Sequence, residues 1–193
     1  MNKLILTVAV SSILLCSCNQ KSENKKVEVS EKKEFKANVD ISTENISENE
    51  IKTIIGTNFP DNTSLTVTAS REYMRKNSDE RYAANLYSEF NSTVKNGEIV
   101  FSFDPHDNSW MEEYNELRKQ NAEFDKSLTE IDKQSIKDSI EISVLFTPKK
   151  EQPQEVVKSL GDNGENLTGE NVESLNGFKV YRKKINFYNK FKK

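Results

Sequence analysis

Ile140, Ile142, Val144 and Phe146 alternate with Glu141, Ser143 and Leu145 ahead of a proline at 148, and this two-residue period most narrows the folds open to the chain. Successive side chains of an extended strand point to opposite faces, so such a run buries one face and leaves the other to solvent. The same alternation begins at Val39, where Val39 and Ile41 are interleaved with Asp40 and Ser42, and it returns in the apolar run 51–57 and in Leu65, Val67 and Ala69. Between those last two segments Pro60 presets φ at a turn's first corner, while Asp61 and Asn62 tolerate left-handed backbone, so residues 51–69 read as an antiparallel hairpin. Residues 86–94 and 99–103 flank Lys95-Asn96-Gly97-Glu98 and read as a second hairpin, because Asn-Gly is the strongest short signal for a tight reversal.

Helical spacing appears in the middle of the chain. Ser109 and Glu112 stand at capping-box distance, and Trp110, Tyr114, Leu117, Phe124, Leu128 and Ile131 follow at intervals of three, four and seven. These six fall on one stripe of a helix of about twenty residues, within a helical insertion at about 109–133. Such a stripe either caps the open face or edge of a sheet or binds a partner. Pro153 opens a second, short helix that Gly161 closes, and the Gly- and Asn-rich loop 161–169 returns the chain to a last strand at about 177–191. In that strand Phe178 and Val180 share one parity and Ile185, Phe187 and Phe191 the other, which calls for a bulge near Lys183 or Lys184. The expected fold is mainly β: an immunoglobulin-like antiparallel β-sandwich of about seven strands, with one inserted amphipathic helix and one short helix, over residues 39–193.

Ahead of this domain, residues 19 to about 38 carry dense charges of both signs and few apolar side chains, too little apolar surface to offset the entropy of ordering. They read as a tether whose coil spans about 25 Å and whose stretched limit is near 70 Å. Before it come Lys3, the apolar run 4–15 and small Ser17, a leader shorter than the roughly 20 apolar residues a membrane helix needs. Leu15-Cys16-Ser17-Cys18 resembles the lipobox of bacterial lipoproteins. That resemblance implies removal of residues 1–17 as a signal peptide, a thioether-linked diacylglyceryl group on Cys18, and often a further acyl group such as palmitate on the new amine. Cys18 fits better than Cys16, because it follows Ser17 and has Leu15 three places upstream. With Cys16 removed and Cys18 acylated, neither of the chain's two cysteines remains for a disulfide, and the fold must rest on its apolar core.

Three further segments also look familiar: Thr57-Asn58-Phe59-Pro60-Asp61-Asn62-Thr63, then Val94-Lys95-Asn96-Gly97-Glu98, and Gln152-Pro153-Gln154 followed by Gly164-Glu165-Asn166-Leu167-Thr168-Gly169. They resemble a loosely defined group of uncharacterised bacterial surface or secreted proteins, across about residues 50–170 without the helical segment. Members often carry Asn-Leu-Pro-Asp-Gly-Thr, from which Phe59 and Asn62 depart. The resemblance implies a small extracytoplasmic β-sandwich module and carries no catalytic residue.

Reactive groups are few. The net charge of −3, with both signs interspersed, argues against a nucleic-acid binder of the strongly basic kind. One histidine, His106, excludes zinc sites built on several imidazoles, and no Gly-x-Ser-x-Gly elbow accompanies it. Asp104, Asp107, Asn108 and Glu112, and separately Asp162, Asn163, Glu165 and Asn166, offer oxygen ligands, but neither set has the spacing of the twelve-residue calcium loop. The one single-signed run is Lys179, Arg182, Lys183, Lys184, Lys190, Lys192 and Lys193. It either meets an anionic surface, at about 1 kcal/mol per cation, or guards an edge strand against sheet-to-sheet association.

The expectation is therefore a lipid-anchored, non-catalytic protein of the cell envelope whose sandwich binds a protein or polymer. Its site would be the outer face of the cell membrane, or the outer membrane or periplasm where two membranes are present. Its partners would be the membrane, through the anchor, and an envelope component, with no nucleic acid and no cofactor beyond the lipid on Cys18. A modulator or inhibitor of an exported enzyme, such as a peptidase, is the alternative, and a hydrolase a more distant one.

Overall fold

A computed structural model describes residues 33–121, 123–148 and 152–188. Along the chain, β1 (Phe35–Lys36), β2 (Val39–Ser47), β3 (Glu50–Thr57), β4 (Ser64–Arg75), β5 (Arg81–Thr93) and β6 (Glu98–Phe103) lead to helix α1 (Ser109–Asn121). Then follow β7 (Ile131–Asp132), β8 (Ser139–Phe146), helix α2 (Gln154–Leu160), β9 (Leu167–Thr168), β10 (Val172–Leu175) and β11 (Phe178–Tyr188). The seven long strands divide into a three-stranded sheet, β2-β3-β6, and a larger one running β5-β4-β8-β11, all antiparallel. Their inner faces meet in a core that includes Val39, Ile51, Ile55, Leu65, Val67, Ile140, Ile142, Val144 and Phe146. This is the expected immunoglobulin-like sandwich. Its fourth long strand, β5, lies beside the third, whereas in the constant-type arrangement that strand closes the first sheet.

Strand β8 shows why alternation is so constraining. Its residues are buried one by one in turn, with Ile140, Ile142 and Val144 wholly inaccessible. Helix α2 likewise has the expected bounds: Pro153 sits at its N-cap, and Gly161, at φ 88°, donates its N–H to the Val157 carbonyl and ends it.

Both expected hairpins are corrected. β3 pairs with β2 and β6, and β4 with β5 and β8, so the turn at 58–63 carries the chain from one sheet to the other. Phe59 explains the crossing. Only 2% exposed, it fills the space between the sheets with its ring stacked on Phe146 at 5.2 Å and edge-on to Tyr181 at 5.6 Å. The Asn96-Gly97 reversal does form, with φ of 52° and 74° and reciprocal Lys95–Glu98 backbone bonds at 3.0 Å. Beyond that one pair its arms diverge, β5 joining β4 and β6 joining β3. The hairpins that form are β2–β3, β4–β5 and β10–β11, the last through another Asn-Gly, Asn176-Gly177.

Helix α1 is shorter than its stripe suggested. It ends at Asn121, whose Nδ2 donates back to the Leu117 carbonyl at 2.9 Å and whose own carbonyl accepts from the N–H groups of Phe124 and Asp125. That turn sends the chain back, so Ile131 arrives in β7 opposite Arg75. Phe124 is 86% exposed, while Trp110 and Tyr114 pack with Tyr73, Ala84 and Ile131 in a second apolar cluster that caps one end of the larger sheet. The helix start is held by Asp107, whose carboxylate accepts from both the N–H and the hydroxyl of Ser109, in place of the expected Ser109–Glu112 box.

β11 keeps an unbroken register with β8 from Tyr181 to Tyr188, so the bulge expected near Lys183 is absent. Val180 and Tyr181 are both buried, and the parity changes between them because both faces of the strand are covered there. The ordered fold also starts earlier than Val39. Phe35 and Lys36 pair in parallel with Leu167 and Thr168, Ala37 is buried, and Asn58 bonds the Lys36 carbonyl and the Asn38 N–H at 2.8 Å. The described residues form one compact unit; the leader 1–17, Cys18 and the stretch to residue 32 lie outside them.

The three familiar-looking segments meet at the end where the chain enters. Asp61 Oδ1 accepts from Gly97 N–H at 3.1 Å, Asn62 N–H donates to the Val94 carbonyl, and the Gln152 side-chain amide pairs with both backbone groups of Ser64 at 2.9 Å. Near them, Lys179 N–H donates to the Asn163 carbonyl beside Gly164. From Lys179 the last strand runs about 30 Å to Tyr188, placing its far end on the side of α1.

Candidate binding cleft

Where β5 and β6 part beyond the 95–98 turn, two edge strands from different sheets face each other across an open cleft of about 430 Å³. β5 is shaped for this. Its register against β4 shifts twice, between the pairs of Leu65 and Val67 and again between those of Ala69 and Ser70, each shift adding one residue to β5. Such bulges bend an edge strand and redirect its side chains. The first falls at Phe90, which stands 68% exposed between Glu89 and Asn91, whereas Ser92 is 3% exposed.

Polar side chains dominate the cleft lining: Glu89, Asn91, Ser92, Thr93, Lys95 and Glu98 beside Ile99 and Val100. Under it, Tyr87 of β5 stacks on Phe101 of β6 at 4.3 Å and 13°, closing the gap between the sheets. The Tyr87 hydroxyl donates to Glu89 Oε2 at 2.5 Å. Burial, reinforced by that bond and the carboxylate's charge, pushes the Tyr87 hydroxyl up to about 12. The same bond, with help from nearby Ser92, holds the Glu89 carboxyl below its ordinary value, so it is a carboxylate at neutral pH. Ser92 Oγ, although close to this pair, makes no hydrogen bond of normal length and angle with a protein group. The arrangement has no nucleophile–base pair directed at a common point; it is a set of acceptors and donors around a hollow.

Among the described residues, the cations of the carboxyl-terminal run are divided between the two faces of β11. Lys179 and Lys183 share the inward parity of Tyr181 and Ile185, and Arg182 and Lys184 take the opposite face. Lys179 Nζ donates to the carbonyls of Leu167 and Glu165, and Lys183 Nζ donates to the Val39 carbonyl, stapling the two sheets beside Asp40. Lys184 pairs with Glu141 at 2.8 Å, and Arg182 lies 4.0 Å from Glu173. Lys190, Lys192 and Lys193, like the lipidation candidate Cys18, fall outside the described residues.

His106 lies in a half-buried loop, where its backbone N–H donates to Asp104 Oδ1 at 2.7 Å. Asp107 and Glu165, two of the other carboxylates weighed as calcium ligands, accept from backbone N–H groups of Ser109 and Asn163. Among the described residues no three His, Cys, Asp or Glu side chains converge as a metal site would require.

Sequence reading missed the cleft because it depends on β5 and β6 belonging to different sheets. By parity Phe90 belongs with Leu86 and Val94, facing the core, and nothing local marks the bulge that turns it outward. The one available signal is a polar Ser92 at a position that the same parity buries. No family model, curated protein or solved structure matches the chain.

Proposed function

We propose that this chain is a lipid-anchored protein of the cell envelope, held by a diacylglyceryl group on Cys18 after removal of residues 1–17, and that it works by binding a protein or polymer. The observation that carries this reading is the relation between the lipobox and the fold. Leu15-Cys16-Ser17-Cys18 is followed by a strongly polar segment, and the first strand of the sandwich begins at Phe35. The sixteen residues between Cys18 and Phe35 reach at most about 55 Å, so the sandwich would stand in the aqueous phase within that distance of its membrane. Two long acyl chains, at about 0.8 kcal/mol per buried methylene, hold a protein at a bilayer where one myristoyl chain is marginal.

The cleft between β5 and β6 supports a binding role. It has volume, a lining of exposed polar side chains and an exposed apolar contact at Val100. The chain needs no cofactor for this beyond its covalent lipid. Cell fractionation tests the anchor: the native protein is expected in the membrane fraction and the Cys18→Ala protein in the soluble one. A Cys18→Ala protein that stays membrane-bound would refute it.

A further inference from the structure

We propose that the β5–β6 cleft binds a hydroxyl-bearing sugar unit of an uncharged polysaccharide, Glu89 and Asn91 bonding its hydroxyls and Val100 meeting its apolar face. This rests on the reading of the chain as an envelope-binding module and names the class of polymer it holds. Three observations lead to it.

The first is size. About 430 Å³ lies within the roughly 300–1,000 Å³ of small-ligand sites, and the cleft is open along the strands, so a polymer can pass through without needing an end. The second is hydrogen-bond chemistry. Carboxylates accept only, amides and hydroxyls do both, and an ammonium donates only. Glu89, Glu98, Asn91, Thr93 and Lys95 therefore offer a mixed set in which acceptors are plentiful, and adjacent sugar hydroxyls, each donor and acceptor at once, match it. Two carboxylates against one ammonium disfavour a uronate or a phosphate in the same place.

The third separates a saccharide from an extended peptide, the other polymer that a sheet edge can take. Strand addition needs an even ladder of free backbone groups, and β5 interrupts its ladder with two register shifts while exposing Phe90 at the first. Side-chain recognition survives such an edge; main-chain pairing along β5 does not.

The full chain with its anchor, in detergent micelles, would be tested against immobilised neutral oligosaccharides: glucan, mannan and N-acetylhexosamine oligomers, with uronate- and phosphate-bearing oligomers alongside. Binding to a neutral series is expected, weakened at least tenfold by Glu89→Gln. Asn91→Ala, at an exposed position, should weaken it comparably with thermal unfolding unchanged. No retention of any neutral series at millimolar concentration would overturn the inference, as would stronger binding of the anionic ones or full binding by both variants. A photo-reactive residue placed at Val100 in intact cells separates the two readings. Cross-linking to a glycan supports the inference; cross-linking to a protein alone overturns it and leaves the membrane-anchored module standing. Recovery of the native chain from the soluble fraction would overturn the anchored module instead.

Discussion

Phe59 stands one residue before a proline in a turn, yet its ring is among the most enclosed in the molecule, between Phe35, Phe146 and Tyr181. Truncating a buried phenylalanine removes both its transfer energy and its packing, so Phe59→Ala is expected to lower stability by about 3–5 kcal/mol, read by urea unfolding. Tyr87 offers a second test at this scale, through its proton. Its hydroxyl ordinarily ionises at 10.0 and in the fold only at about 12. Between those values the unfolded chain binds fewer protons than the folded one. The contribution is thus complete below pH 10 and is lost as pH climbs toward 12. Ultraviolet titration of tyrosinate should show late-ionising groups, since burial also raises Tyr114 and Tyr181, and Tyr87→Phe should remove one of them. Glu89→Gln should move it only part of the way toward 10, because burial, the largest cause, remains.

At the level of elements, α1 separates what a pattern implies from what a fold uses. Six residues share the helical stripe, but the helix stops at Asn121 and the stripe divides. Trp110→Ala is expected to cost about 3–5 kcal/mol and Phe124→Ala no more than about 0.5 kcal/mol, a contrast a continuous helix would not give. β8 and α2 were legible because their signals are local: four alternating apolar residues in one, Pro153 and Gly161 bracketing the other. The Asn-Gly turns at 96–97 and 176–177 were not equally legible, although both adopt left-handed backbone. Asn176-Gly177 joins two paired strands, and Asn96-Gly97 joins strands that leave for different sheets. The dipeptide fixes the reversal; which sheet each arm enters depends on Phe59 and on partners far along the chain. The cleft was illegible for the same reason.

For the whole molecule, the chain enters the sandwich at the end held by β1 and β9 and completes β11 about 30 Å away, on the side of α1. The entry end is part of the fold. A chain beginning at residue 33 is expected to unfold like the longer mature one. A chain beginning at residue 39 would lose the parallel pair, the Phe35–Phe59 contact and the Asn58–Lys36 bond, at about 2–4 kcal/mol in thermal or urea unfolding. A loss-free truncation to residue 39 would place the boundary where charge density alone suggested it. The proposed working arrangement joins this sandwich, through residues 19–34, to a lipid on Cys18, with the cleft free to meet what lies nearby.

The most direct measurement is mass spectrometry of the amino-terminal peptide of the native protein purified from its membrane fraction. The account predicts a chain that begins at Cys18 and carries the added mass of a diacylglyceryl group, with or without a further acyl chain. A native chain that retains residues 1–17, or that begins elsewhere with Cys18 unmodified, would contradict it.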